Sequence, residues 1–142
     1  MAKFYGRNLR VKVGSSDLTT QIASVEVTET VDEIETTAFG QAARSRIAGL
    51  KDASVTLSFH ADHDASGVNT VLASLFGGTA TVTVLAGTAL AQGTATSVAP
   101  LYTIPVLCSQ QTPVNGQVGD LVTFDVTWPA VGEITKSTSG TF

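Results

Sequence analysis

The densest group of chemically capable side chains in this 142-residue chain is the run His60-Ala61-Asp62-His63-Asp64, two imidazoles and two carboxylates within five positions. Both types offer donor atoms suited to zinc or another divalent ion. Geometry works against that use: on a continuing strand His60, Asp62 and Asp64 share one face while His63 points away. No second cluster of Cys, His or Glu is present to complete a closed site. The better reading is a solvated strand end followed by a helix cap, with His60, Asp62 and Asp64 only weak metal candidates. The same two histidines are the only imidazole bases, and there is no GxSxG elbow, no HExxH and no glycine-rich phosphate loop followed by lysine. Glu33 and Glu35 form a carboxylate pair, but in a charged segment that promises none of the burial a general acid needs. Cys108, the lone cysteine, reads as a small buried hydrophobe, and Trp128 falls on an apolar strand face and reads as core. The expectation is a protein that is not an enzyme and takes no cofactor.

Composition points elsewhere. Charged residues make up 14% of the chain and hydrophobic residues 43%, against ~25% charged in an ordinary soluble domain. Much of the surface is therefore hydroxyl and amide, as suits a chain that covers itself with neighbours. A formal net charge of -4 and a pI near 4.9 argue against gripping nucleic acid by its phosphates, although an acidic surface can guide nucleic acid by not adhering to it. A single cysteine rules out an internal disulfide. The start, MAKFYGRNLRVKV, lacks the apolar stretch of a signal peptide, and no segment approaches the ~20 apolar residues of a membrane span. A soluble chain made and folded inside the cell, without membrane contact, is expected. Its length fits one domain, residues 1–142.

The elements follow from alternation. Leu9, Val11 and Val13 alternate with Arg10 and Lys12 as a first strand; Ala23, Val25 and Val27 alternate with Ser24, Glu26 and Thr28 as a second, able to pair with the first. From 30 to 48 the alternation fails, which predicts a long inter-strand loop or hairpin excursion. Its Ile34, Phe39 and Ile47, with Leu50 just beyond, are more apolar anchors than a disordered linker keeps. A strand over 53–61 then puts Ala53, Val55, Leu57 and Phe59 on one face and Ser54, Thr56 and Ser58 on the other. Val68, Val71, Leu72, Leu75 and Phe76 have the spacing of an amphipathic helix over 65–76, capped by Asp64 or Ser66 and stopped at Gly77-Gly78. Strands follow over 79–86, 102–109 and 121–128, separated by an irregular passage at 87–99 and a turn-rich TPVNGQVGD. Pro105 marks an edge or bulge. A flexible C-terminal arm closes the chain. The fold class is mainly β, a two-sheet β-sandwich with one flanking α-helix.

Acidic residues from Glu26 to Glu35 face a basic group, Arg44, Arg46 and Lys51, either within one hairpin or across a repeated subunit interface, where they set register more than affinity. The loop ending in Ala48-Gly49-Leu50-Lys51-Asp52, the strand SVTLSF, the helix VNTVLASLFG and GDLVTFDVTWPAVGEI at 119 to 134 together resemble the major tail tube proteins of long-tailed, non-contractile bacteriophages. These segments span most of the chain in the family's order. The resemblance implies a tail-tube-like sandwich, six copies per ring, and rings stacked into a hollow tube through which the viral genome passes. It implies synthesis in the host cytoplasm and residence in the virion tail. The partners it implies are copies of the chain itself, then tail terminator, tape-measure and distal tail proteins, with DNA passing unbound. A polar to acidic lumen is also implied, and Glu26, Thr28, Ser54, Thr56 and Ser58 are the lumen-facing candidates. Glu29, Asp32, Glu33, Glu35, Phe39, Arg44, Arg46, Ile47 and Lys51 are the candidates for contacts between subunits. The alternative is a monomeric β-sandwich binding or virion decoration module, which would expose aromatics on loops; Phe4, Tyr5, Phe39 and Phe142 are those outside the predicted elements.

Overall fold

Runs that alternate Val, Leu and Phe with Ser and Thr can dry only one face. In the computed structural model, which describes residues 6–87 and 93–142, they do so by stacking two antiparallel sheets. Along the chain the strands are β1 (Leu9–Val13), β2 (Ser16–Asp17), β3 (Ile22–Glu35), β4 (Arg46–His60), β5 (Thr79–Ala86), β6 (Leu101–Leu107), β7 (Thr112–Asn115), β8 (Thr123–Pro129) and β9 (Thr135–Ser137). One helix, α1 (Val68–Leu75), lies between β4 and β5. The five-stranded sheet runs β2-β1-β5-β6-β9 and the four-stranded sheet β3-β4-β8-β7.

The core sits between them. Val11, Val13, Val82, Ile104 and Val106 from one sheet meet Val55, Leu57, Phe59, Phe124, Val126 and Trp128 from the other. These are the inner faces that alternation selected. The Trp128 ring is 1% exposed, and its indole Nε1 donates to the Gln110 carbonyl at 2.9 Å, so its one polar atom is satisfied. Helix α1 adds Val68 and Leu72 to the same core. A second, smaller cluster of Leu85, Ala95 and Leu101 forms on the other side of β5 and β6.

Several expectations are corrected. The first two strands are not neighbours: β1 pairs with β2 and β5, while β3 pairs with β4 in the opposite sheet, so they contribute to different walls of the core. Of the two forms expected for 30–48, a loop or a hairpin excursion, the structure has the hairpin: β3 and β4 stay paired out to Glu35 and Arg46, and 36–45 forms the tip. The helix is eight residues long and begins after Gly67, without a side-chain cap from Asp64 or Ser66. Gln21 takes that role from afar, its Oε1 accepting from the Val68 amide at 2.7 Å. Phe76 falls beyond the helix and is exposed. The last long strand starts at Thr123, leaving Leu121 and Val122 outside it.

β2, β7 and β9 were not expected, being short and rich in Ser, Thr, Lys, Pro or Asn. β7 borders only β8, so its Pro113 sits in an edge strand, where a missing N–H costs little. For Pro105 the expectation of an edge or bulge is corrected: β6 lies between β5 and β9, the Thr81–Pro105 pair shows no register shift, and the Pro105 carbonyl accepts from Val131 at 2.9 Å.

The C-terminal segment is not a free arm. β9 pairs with β6, and Phe142 packs on the Leu85 cluster, its amide donating to the Gly93 carbonyl at 2.8 Å. The cationic groups of Arg10 and Lys12 lie 4.4 and 5.0 Å from the Phe142 ring centroid. Of the passage at 87–99, residues 88–92 lie outside the described residues, as do Phe4 and Tyr5.

Candidate assembly surface

The outer face of the four-stranded sheet is built row by row from hydroxyls and carboxylates. Ser24, Ser58 and Asp125 form one row, Glu26, Thr56 and Thr127 the next, and Thr28 lies opposite Ser54. All five lumen-facing candidates therefore share one continuous surface. By alternation Asp52 belongs to it too, across from Thr30. No lysine or arginine stands in these rows, so the surface is acidic at neutral pH.

Asp125 is the residue that sequence reasoning did not single out, although its alternation with Thr123 and Thr127 put it on this face. The Ser58 hydroxyl donates to its Oδ1 at 2.6 Å, and Asn115 Nδ2 donates to Oδ2 at 2.9 Å. The Ser58 bond, then the Asn115 bond, hold its carboxyl below the usual range, against a smaller opposing effect of burial. Asp125 is thus a fixed negative charge, oriented by three strands.

Beyond Ala53 the β3–β4 ribbon leaves the core and continues as a two-stranded arm. Between the pairs Val31–Lys51 and Glu33–Ala48, β4 carries one residue more than β3, a bulge at Gly49-Leu50. Past it Ile34 lies across from Ile47, both exposed, and Val31 and Leu50 are exposed as well. The tip is organised: Thr36 donates to the Ser45 carbonyl at 2.8 Å and Ser45 to Thr37 Oγ1 at 2.9 Å. At its end Ala38-Phe39-Gly40-Gln41 makes a β-turn whose third position needs the positive φ of +85° that Gly40 adopts. That turn holds Phe39 at its corner, 109% exposed.

The charge blocks resolve mostly within the chain. Arg46 lies 3.5 Å from Glu33 and Arg44 4.0 Å from Glu35, both across the arm, where such exposed pairs contribute little. Lys51 reaches Glu133 at 2.7 Å, a partner outside the arm. Their mutual hydrogen bond raises the Lys51 pKa and lowers that of Glu133. The pair braces the root of the arm against the segment after β8, beside a groove of about 470 Å³ lined by Leu50, Ala53, Val131 and Ile134.

The HADHD segment forms a local turn. Asp62 Oδ1 accepts from the Asp64 amide at 3.0 Å, and Asn69 Oδ1 accepts from the Asp62 amide at 2.7 Å. His60 ends β4 on the exposed side, and among the described residues no three His, Cys, Asp or Glu side chains gather as a metal site would need. Burial raises the Cys108 pKa, which makes its thiol a poor nucleophile. Among the described residues no helix is long and apolar enough to cross a membrane.

By sequence, neither a protein-family model nor a curated protein matches the chain. By structure it is similar to solved tubes and tails, among them the following three. The SPP1 tail tube matches with a TM-score of 0.74 at 10% identity, over 96% of this chain and 80% of that one. The tail of an empty gene transfer agent particle, refined with C6 symmetry, matches with a TM-score of 0.67 at 14% identity, over 94% and 98%. The sheath-tube complex of an extracellular contractile injection system matches with a TM-score of 0.71 at 12% identity, over 96% and 92%. The chain has the tail-tube fold, and that fold occurs in a contractile system as well.

Proposed function

We propose that this chain is the repeating subunit of a phage-type tail tube: copies close into hexameric rings, and rings stack into a hollow conduit for a genome. The observation that carries the proposal is the four-stranded sheet, which among the described residues has both edges free, one uncovered polar face, and an arm rich in exposed apolar side chains. Its strands alternate in direction from β3 to β7, so β7 of one copy meets β3 of the next antiparallel, and the sheet continues across the joint. Such a contact is head-to-tail, the kind that closes rings.

Six copies, as in the C6 tail, would join four strands each into a barrel of twenty-four. At ~4.8 Å per strand such a barrel is ~37 Å across at the backbone before strand tilt widens it. That leaves room for a nucleic-acid duplex inside a ring of side chains. Glu26, Thr28, Ser54, Thr56 and Ser58, together with Asp125, would face the channel, where acidic groups repel phosphate. The arm, with Glu29, Asp32, Glu33, Glu35, Phe39, Arg44, Arg46, Ile47 and Lys51, would make contacts between subunits.

In this reading residues 1–142 act as one domain without enzymatic activity, located in the virion tail after synthesis in the host cytoplasm. The tail is of the non-contractile type, with terminator, tape-measure and distal tail proteins as further partners. The monomeric binding-module alternative is disfavoured because Trp128 is core and Phe142 is packed on the Leu85 cluster, so neither is presented as a ligand platform. Negative-stain electron microscopy of the purified chain at high concentration tests the proposal. Regular tubes with a central channel are expected; a species that stays monomeric at every concentration would overturn it.

A further inference from the structure

We infer that within the ring the 114–122 segment of one copy seats in the apolar cleft beneath the β3 edge of the next. The inference rests on the tube reading and names the side chains that would seal its joint. It begins with a second presenting turn. Gln117-Val118-Gly119-Asp120 is closed by the Asp120 amide donating to the Gln117 carbonyl at 3.0 Å, with Gly119 at φ +92° in the third position. The turn holds Val118 at its corner, 107% exposed, with Val114, Leu121 and Val122 exposed beside it. Val118 makes no packing contribution within the subunit, and Val114 and Leu121 leave most of their apolar surface in solvent.

At the opposite edge of the sheet, two adjoining clefts open alongside β3. One, of about 350 Å³, is lined by Leu9, Val11, Ile22 and Val25; the other, of about 320 Å³, by Leu9, Val25, Val27 and Tyr102. They share Leu9 and Val25, so they form one trough between the sheets, apolar at its centre with Thr19, Ser24 and Glu29 also in its lining, beneath a strand edge unpaired among the described residues.

The levels match. Ser24, Ser58, Asp125 and Thr112 lie in one row, and His60, Thr123 and Asn115 in the next. β7 therefore ends at the height where β3 begins, and the 116–122 turn sits at the same end of the sheet as the trough. A rotation about the ring axis, without translation, carries the turn of one copy to the trough of its neighbour. Charge opposes the match only weakly: β3 carries Glu26, Glu29, Asp32, Glu33 and Glu35, whereas the 114–122 segment carries the single acid Asp120.

The test is oxidative cross-linking of the full-length Val118→Cys, Val25→Cys double variant in assembled tubes, run on a non-reducing gel. The native Cys108 is buried and does not compete. A ladder of covalent multimers ending at six is expected, with neither single variant producing it. A parallel Val118→Asp variant should melt like the wild type, because the side chain is fully exposed, while its critical concentration for assembly rises about tenfold or more. Wild-type tubes without a ladder from the double variant would overturn this inference and leave the tube reading intact. A ladder running past six would place the segment between rings and overturn it too. A wild-type chain that forms no tubes would overturn the tube reading itself, and this inference with it.

Discussion

Replacing Phe39 by alanine separates assembly from folding. The ring is wholly exposed in the subunit and its turn is fixed by the backbone of Gly40 and the side chain of Gln41, whose Oε1 accepts from the Ala38 amide at 2.7 Å. Removing the ring therefore takes no contact from the monomer, and a surface change of this kind shifts stability by about 0.5 kcal/mol or less. In a tube whose arm tip is covered by a neighbour, the same ring is buried, which is worth ~1.5–3 kcal/mol. At ~1.4 kcal/mol per decade, the concentration of free subunit in equilibrium with tubes should rise roughly 10- to 150-fold. The assay is sedimentation of tubes over a concentration series, reading the protein left in the supernatant, with a thermal melt of the dilute monomer as control. Phe39→Leu, which keeps most of the apolar area, should recover most of the loss. A supernatant concentration within about twofold of the wild type, ~0.4 kcal/mol, would refute the assignment of the arm tip to subunit contacts. A large fall in the monomer's melting temperature would refute the premise that the ring is idle before assembly.

Two further predictions concern the subunit alone. Asp125 has its folded pKa lowered from the ordinary 3.8, so its stabilising contribution is fully present above that value and is lost as pH falls through the folded one. The melting-temperature gap between wild type and Asp125→Asn should hold steady above pH 4 and close below it; a gap that persists in strong acid would contradict the hydrogen-bonded carboxylate. Trp128→Ala should cost ~3–5 kcal/mol in urea unfolding, because it opens a void at the centre of the core and leaves the Gln110 carbonyl unpaired.

The core was legible because each inner strand face obeys a period of two: Val55, Leu57 and Phe59 in β4 and Phe124, Val126 and Trp128 in β8 all turned inward as spaced. The arm was not, for two reasons. The bulge at Gly49-Leu50 shifts the pairing by one residue, so Ile47 no longer keeps step with Val55. Beyond Ala53, moreover, neither face of the arm covers the core, so no dry side exists to impose alternation. The short strands β2, β7 and β9 had no pattern to read because they border sheets rather than build the core, and polar contacts such as Arg10–Asp17 and Asn115–Asp125 supplement their pairing. The polar face could be listed residue by residue, but its binding of Asp125 to Ser58 and Asn115 across three strands depends on register, which spacing within one strand does not carry.

Register also bears on why the chain would form rings rather than paired dimers. A free 14-residue edge such as β3 invites pairing with any other free edge, including its own copy. Two β3 edges side by side would bring ten carboxylates into one ribbon, since each contributes Glu26, Glu29, Asp32, Glu33 and Glu35. Like charges across strands are destabilising, and Arg44 and Arg46 are already engaged within their own arm. The β7 edge, Thr-Pro-Val-Asn, is uncharged, and its four residues with a proline give little purchase for pairing with itself. Of the three edge pairings available to identical sheets, β3 with β7 alone avoids both penalties. It is also the only one of the three that is head-to-tail, so acidic residues that look like solubilising decoration on a strand would select a closed ring over a two-fold dimer.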